Sequence, residues 1–158
     1  VNVPVTGAAA PGAVIRTARA GAAATVLAGA LHLVAGALHA HHGPLVGVFF
    51  LAVGGVQIWF GLAARRGVGE RVATAGIAAT VGLVVLYLVS RTVTLPIGAH
   101  ADRPEDGDLL GFTVVVAELA MIVTLAAPLG PRWRARALNG VLAAGAGVWT
   151  LWATGLLG

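Results

Sequence analysis

Few side chains in this sequence can carry chemistry, and most of them lie inside long uncharged stretches. His32 sits in the first stretch, Gln57 in the second, and Tyr87, Ser90 and Arg91 at the end of the third. Glu118 sits in the fourth, and Asn139 near the start of the fifth. An imidazole titrates near neutral pH. A carboxylate or guanidinium beside it could pass it a proton, or help it hold an ion or polar ligand. Ionisable groups in apolar surroundings are costly, so they turn inward and pair. Spacing along a helix sets which of them can meet. At a rise of about 1.5 Å per residue, His32 lies roughly 10 Å from a helix end at His39, Glu118 roughly 13–15 Å from one near Asp108 or Leu109, and Gln57 deeper, at roughly 18 Å. Arg91 stands at the boundary, with a stem long enough to reach inward. These depths predict a cluster of His32, Glu118 and Arg91 with Gln57 below it. The plainer outcome is that the same groups satisfy one another and fix helix packing.

All five histidines (His32, His39, His41, His42 and His100) fall toward one side of the apolar stretches, as do Asp102, Glu105, Asp106 and Asp108. Imidazole suits copper and zinc. A site built from His39, His41 and His42 with His100 or a loop carboxylate is therefore a candidate copper or zinc centre. Geometry limits it, because His32 and His39 stand roughly 10 Å apart along one unbroken helix and cannot share an ion. There is no H-E-x-x-H pattern. A solvated loop that titrates near pH 6–7 is the alternative. With no cysteine, no nucleophile in register with a base and no phosphate loop, the sequence favours a non-catalytic protein over an enzyme.

The elements that position these groups follow from composition. The chain has 158 residues, 58% hydrophobic and 10% charged, with a mean hydropathy of +0.92. A soluble domain carries roughly 25% charged residues, so lipid rather than water should surround most of this chain. Residues 1–19 read as a cytoplasmic tail and 20–156 as a transmembrane helical bundle. The spans fall at about 20–38, 45–64, 72–90, 109–128 and 137–156, each near the roughly 20 residues that cross a bilayer. The first is too long and too poor in cleavage-site residues for a signal peptide. The expected fold is an all-α membrane protein of about five spans. The alternative has four spans and a C-terminal interfacial helix, with Trp149 and Trp152 as anchors.

Arginine placement orients the chain. If five helices alternate, Arg16, Arg19, Arg65, Arg66, Arg71, Arg132, Arg134 and Arg136 share one side, against Arg91 and Arg103 on the other. The positive-inside rule makes the first side cytoplasmic, with the N-terminus inside and the chain in the plasma membrane. The same placement beside apolar segments argues against nucleic-acid binding, despite a net charge of +4 and a pI near 11.4.

Glycines recur within the spans, for example Gly29, Gly36, Gly54, Gly55, Gly76, Gly82, Gly140, Gly145 and Gly147. Small residues let membrane helices approach closely. They would serve a compact bundle, or a face for other membrane subunits or a second copy. An accessory subunit of a larger membrane complex is thus the main alternative to an ion- or proton-handling protein.

The segment Ser90–Gly98 (SRTVTLPIG) is the most distinctive, and Val-Thr-Leu-Pro should end the third helix near Arg91 in extended chain. An S-R-T-V-x-L-P-x-G stretch, the acidic loop Asp102–Asp108, Glu118-Leu119, Phe49–Leu51 and Gln57 together resemble small, uncharacterised multi-pass membrane proteins of high-GC Gram-positive bacteria. The resemblance covers roughly Leu31 to Leu125. It implies a shared bundle and no activity. The His-Ala-His-His loop departs from it.

Overall fold

A computed structural model describes residues 11–93 and 108–155. Five long helices form: α1 (Pro11–Leu38), α2 (Pro44–Ala64), α3 (Glu70–Thr92), α4 (Leu109–Ala126) and α5 (Pro131–Ala153). A single 3-10 turn, Ala40–His42, joins the first two. Among the described residues there is no strand. Four of these helices are long and apolar enough to cross a membrane: Arg16–Leu38 within α1, then α2, α3 and α4. The helix α5 has 23 residues but opens on Arg132, Arg134 and Arg136.

Helix ends are set locally. The helix α1 is already formed at Pro11, the first described residue, well before the apolar stretch expected from Ala20, and carries Arg16 and Arg19. Gly43 has φ 120°, a conformation that side chains disfavour, and delivers the chain to Pro44 at the start of α2. Asp108 caps α4, its Oδ1 accepting from Gly111 N at 2.7 Å. The helix α3 stops at Thr92, and Val93 is extended, as the approaching proline predicts.

Each helix runs antiparallel to the next. Glu70 Oε1 accepts from Gly130 N at 2.6 Å, tying the α2–α3 corner to the α4–α5 corner at the arginine-rich end. Arg91 and Asp108 meet at the opposite end. Laterally, α1 packs between α2 and α4, while α3 packs on α4 and α5. The α1–α2 seam is made of small residues. A Cβ on Gly29 would lie 2.8 Å from Gly54 O, and one on Gly61 would lie 2.9 Å from Ala22 O. The two backbones touch there, which is how lipid-embedded helices gain dispersion contact.

The distribution of apolar residues is inverted relative to a water-soluble domain. Ala22, Ala28 and Ala35 are buried, whereas Trp59, Val56, Val123 and Leu142 face outward. The larger buried side chains Phe60, Ile77, Met121, Ile122 and Leu125 form one apolar layer where α2, α3 and α4 meet. That layer lies on the arginine-rich side of Glu118.

Candidate functional site

The close α1–α2 seam and the α1–α4 contact bring His32, Gln57 and Glu118 onto one another. All three are buried, Glu118 to 1% exposure. The Nδ1 of His32 lies 3.0 Å from Ala28 O. A carbonyl only accepts, so Nδ1 carries the hydrogen and its bond fixes the ring on α1. The other nitrogen, Nε2, lies 3.8 Å from Glu118 Oε1. Gln57 Nε2 donates to the same oxygen at 3.3 Å. One carboxylate oxygen thus receives an amide from α2 and faces an imidazole from α1.

That geometry restricts the proton states. A neutral His32 turns the lone pair of Nε2 toward Glu118, and an ionised Glu118 would repel it. A proton on either partner makes the contact attractive. The proton can sit on the imidazole, giving an ion pair, or on the carboxyl, giving a neutral pair. In a surrounding of low dielectric such a contact is stronger than in water. Gln57 Oε1 is buried and, among the described residues, has no hydrogen-bond partner. An unmade bond of this kind is unfavourable in an interior.

Access to the pair is unequal from the two ends. The Phe50 ring lies 6.0 Å from the His32 ring and 5.7 Å from the His39 ring, centroid to centroid, so one aromatic side chain separates the buried imidazole from the one just beyond the end of α1. Toward the arginine-rich end lies the apolar layer of Phe60, Ile77, Met121, Ile122 and Leu125. Thr80 stands at its border, donating to Gly76 O at 2.9 Å and to Met121 Sδ at 3.4 Å.

One expectation is corrected. Arg91 does not join the cluster. Its Nη2 lies 3.4 Å from Asp108 Oδ2, and its guanidinium stacks 4.7 Å over the Tyr87 ring. A half-exposed carboxylate at the start of α4 draws one nitrogen of the guanidinium without the desolvation that a deep site demands. Gln57 joins Glu118 from α2, its Nε2 donating to Oε1.

The histidine-rich turn gathers no ligand set among the described residues, where no group of three or more His, Cys, Asp or Glu comes together. His39 Nδ1 lies 2.8 Å from Ala35 O, so that nitrogen is already bonded. His41 is exposed in the 3-10 turn. The side chain of His42, and all of His100, Asp102, Glu105 and Asp106, lie outside the described residues.

Sequence reasoning missed Phe50 and the double duty of Asp108. An acidic residue directly before an apolar run is a helix-start signal and could have marked Asp108. No comparable signal marks Phe50. Fold and site together define an all-α bundle with four helices suited to a membrane and one buried imidazole–carboxylate–amide cluster. No protein-family model, curated protein or solved structure matches the chain.

Proposed function

We propose that this protein is a multi-pass membrane protein that takes a proton into a single buried site, the His32–Glu118 pair, from the end of the bundle that carries His39. The observation that carries the reading is the 3.8 Å approach of His32 Nε2 to Glu118 Oε1, with Nδ1 already bonded to Ala28 O. The apolar layer beyond Glu118 supports one-sided binding rather than conduction through the bundle. Ionisable groups held at such depth are usual marks of function in membrane proteins. The arginine-rich end faces the cytoplasm and the N-terminus lies inside. The helix α5 is the fifth span, since Ala137–Leu156 has no charged face to rest on the membrane surface. The protein resides in the plasma membrane.

Infrared difference spectra of reconstituted protein test this. Acidifying the medium should change a carboxyl band that is missing in Glu118→Gln, with no steady proton leak across the vesicle. The same spectral change in Glu118→Gln would overturn the reading.

A second reading rests on a different observation. A Cβ added to Gly145 or Gly147 would meet nothing within 4 Å, so this part of α5 shows small residues to no neighbour among the described residues. That face suits an accessory role in a larger membrane assembly. Copurification in mild detergent distinguishes it, a clean monomer counting against it.

A further inference from the structure

A cavity of about 180 Å³ opens between α3 and α5, close to the arginine-rich end. Its walls are apolar, from Ile77, Ala78 and Val81 on α3 and Ala137 and Val141 on α5. Its polar groups come from Thr74 and Arg136, both of which line it. Water at such a site needs two to four polar partners each, and these walls supply few. Hydrocarbon suits them better.

Three observations identify the chemistry of the occupant. The first is Thr74. Other helical threonines, such as Thr25, Thr80, Thr113 and Thr124, donate to the carbonyl four residues back. Thr74 does not, and its buried Oγ1 has no hydrogen-bond partner among the described residues. The second is Arg136, whose guanidinium stacks 4.7 Å over the Trp133 ring and is thereby held at the groove. Arginine in a fixed plane recognises phosphate well. The third is charge. Arg132 and Arg134 flank it on α5, and Arg65, Arg66 and Arg71 gather near the α2–α3 corner. Glu70 is the single acid there, and it accepts from Gly130 N.

We propose that this groove binds one anionic phospholipid from the leaflet at the arginine-rich end. An acyl chain lies against Ile77, Val81 and Val141. The phosphate takes the Arg136 guanidinium. Gly140 lines the cavity, and a Cβ there would meet nothing within 4 Å, so its missing side chain is what leaves room for the chain. Basic recesses between membrane helices are suited to such headgroups. The site is separate from the His32–Glu118 pair and does not depend on it.

Native mass spectrometry from neutral detergent tests the assignment, with phosphatidylglycerol, phosphatidylcholine or inorganic phosphate added in parallel. Phosphatidylglycerol should remain bound as a single adduct, while phosphatidylcholine and inorganic phosphate should not. Arg136→Gln should weaken that adduct about fivefold, the effect of one arginine near an anionic headgroup. Gly140→Leu should fill the groove and abolish the adduct while the fold stands, since no neighbour is close. Arg19→Gln, remote from the groove, should retain it. Equal adducts with phosphatidylcholine, binding of phosphate alone, or wild-type retention in both groove variants would overturn the proposal.

Discussion

Replacing Glu118 by alanine removes the oxygen on which His32 and Gln57 converge. The Gln57 amide then loses its acceptor inside a buried site, at a cost of about 1–3 kcal/mol. The vacated volume, at a residue 1% exposed, adds the penalty of a large-to-small change in a packed interior. Removing a buried carboxyl also relieves its own desolvation, which offsets part of both. The net expectation is a loss of about 2–4 kcal/mol. Glu118→Gln has nearly the same shape and keeps an oxygen for Gln57 Nε2, or, with the amide turned over, offers a donor to His32 Nε2 at the position the two share. Its expected cost is under about 1.5 kcal/mol. Denaturation in detergent, followed by loss of helicity, ranks the three proteins. Alanine and glutamine variants that both match wild type would refute an interior role for Glu118.

The remaining predictions concern the scaffold. Gly29→Ala should destabilise by about 1–3 kcal/mol, because its Cβ meets Gly54 O at 2.8 Å and a backbone atom cannot rotate away. Gly145→Ala should be neutral or slightly stabilising, and equal melting of the two variants would contradict the seam. Asp108→Ala should cost about 0.5–2 kcal/mol through loss of the α4 cap. Asp108→Asn should keep the cap and lose only the attraction to Arg91, a difference visible in thermal-shift data. Arg91→Lys should lose the flat contact over Tyr87 and cost no more than about 1 kcal/mol, since the Asp108 partner is half exposed.

Much of the bundle is legible in the amino-acid sequence, for physical reasons. Lipid demands long apolar runs, so α2, α3 and α4 stand out in the sequence almost to the residue. Proline after an extended segment marks the end of α3 at Thr92. Ionisable and amide groups are so rare at depth that His32, Gln57 and Glu118 can be singled out by type alone. Depth counting fails for Arg91, because it measures along one helix and knows nothing of which partners the neighbouring helices bring. It also cannot see that Asp108 offers Arg91 a nearer partner. The glycines show the same limit. Gly29, Gly54 and Gly61 seal a seam, whereas Gly55, Gly82 and Gly145 would meet nothing with an added Cβ, and no sequence pattern separates the two groups. The groove between α3 and α5 is hidden from sequence reading for that reason, since no pattern marks Gly140 as lining it.

The most direct measurement is the side-chain nitrogen spectrum of His32 across a pH titration, in wild type and in Glu118→Gln. The account predicts that Nδ1 keeps its hydrogen throughout while Nε2 titrates, and that the midpoint moves when the carboxyl is replaced. A His32 titration identical in the two proteins, or one in which Nδ1 gives up its hydrogen, would contradict the shared-proton site.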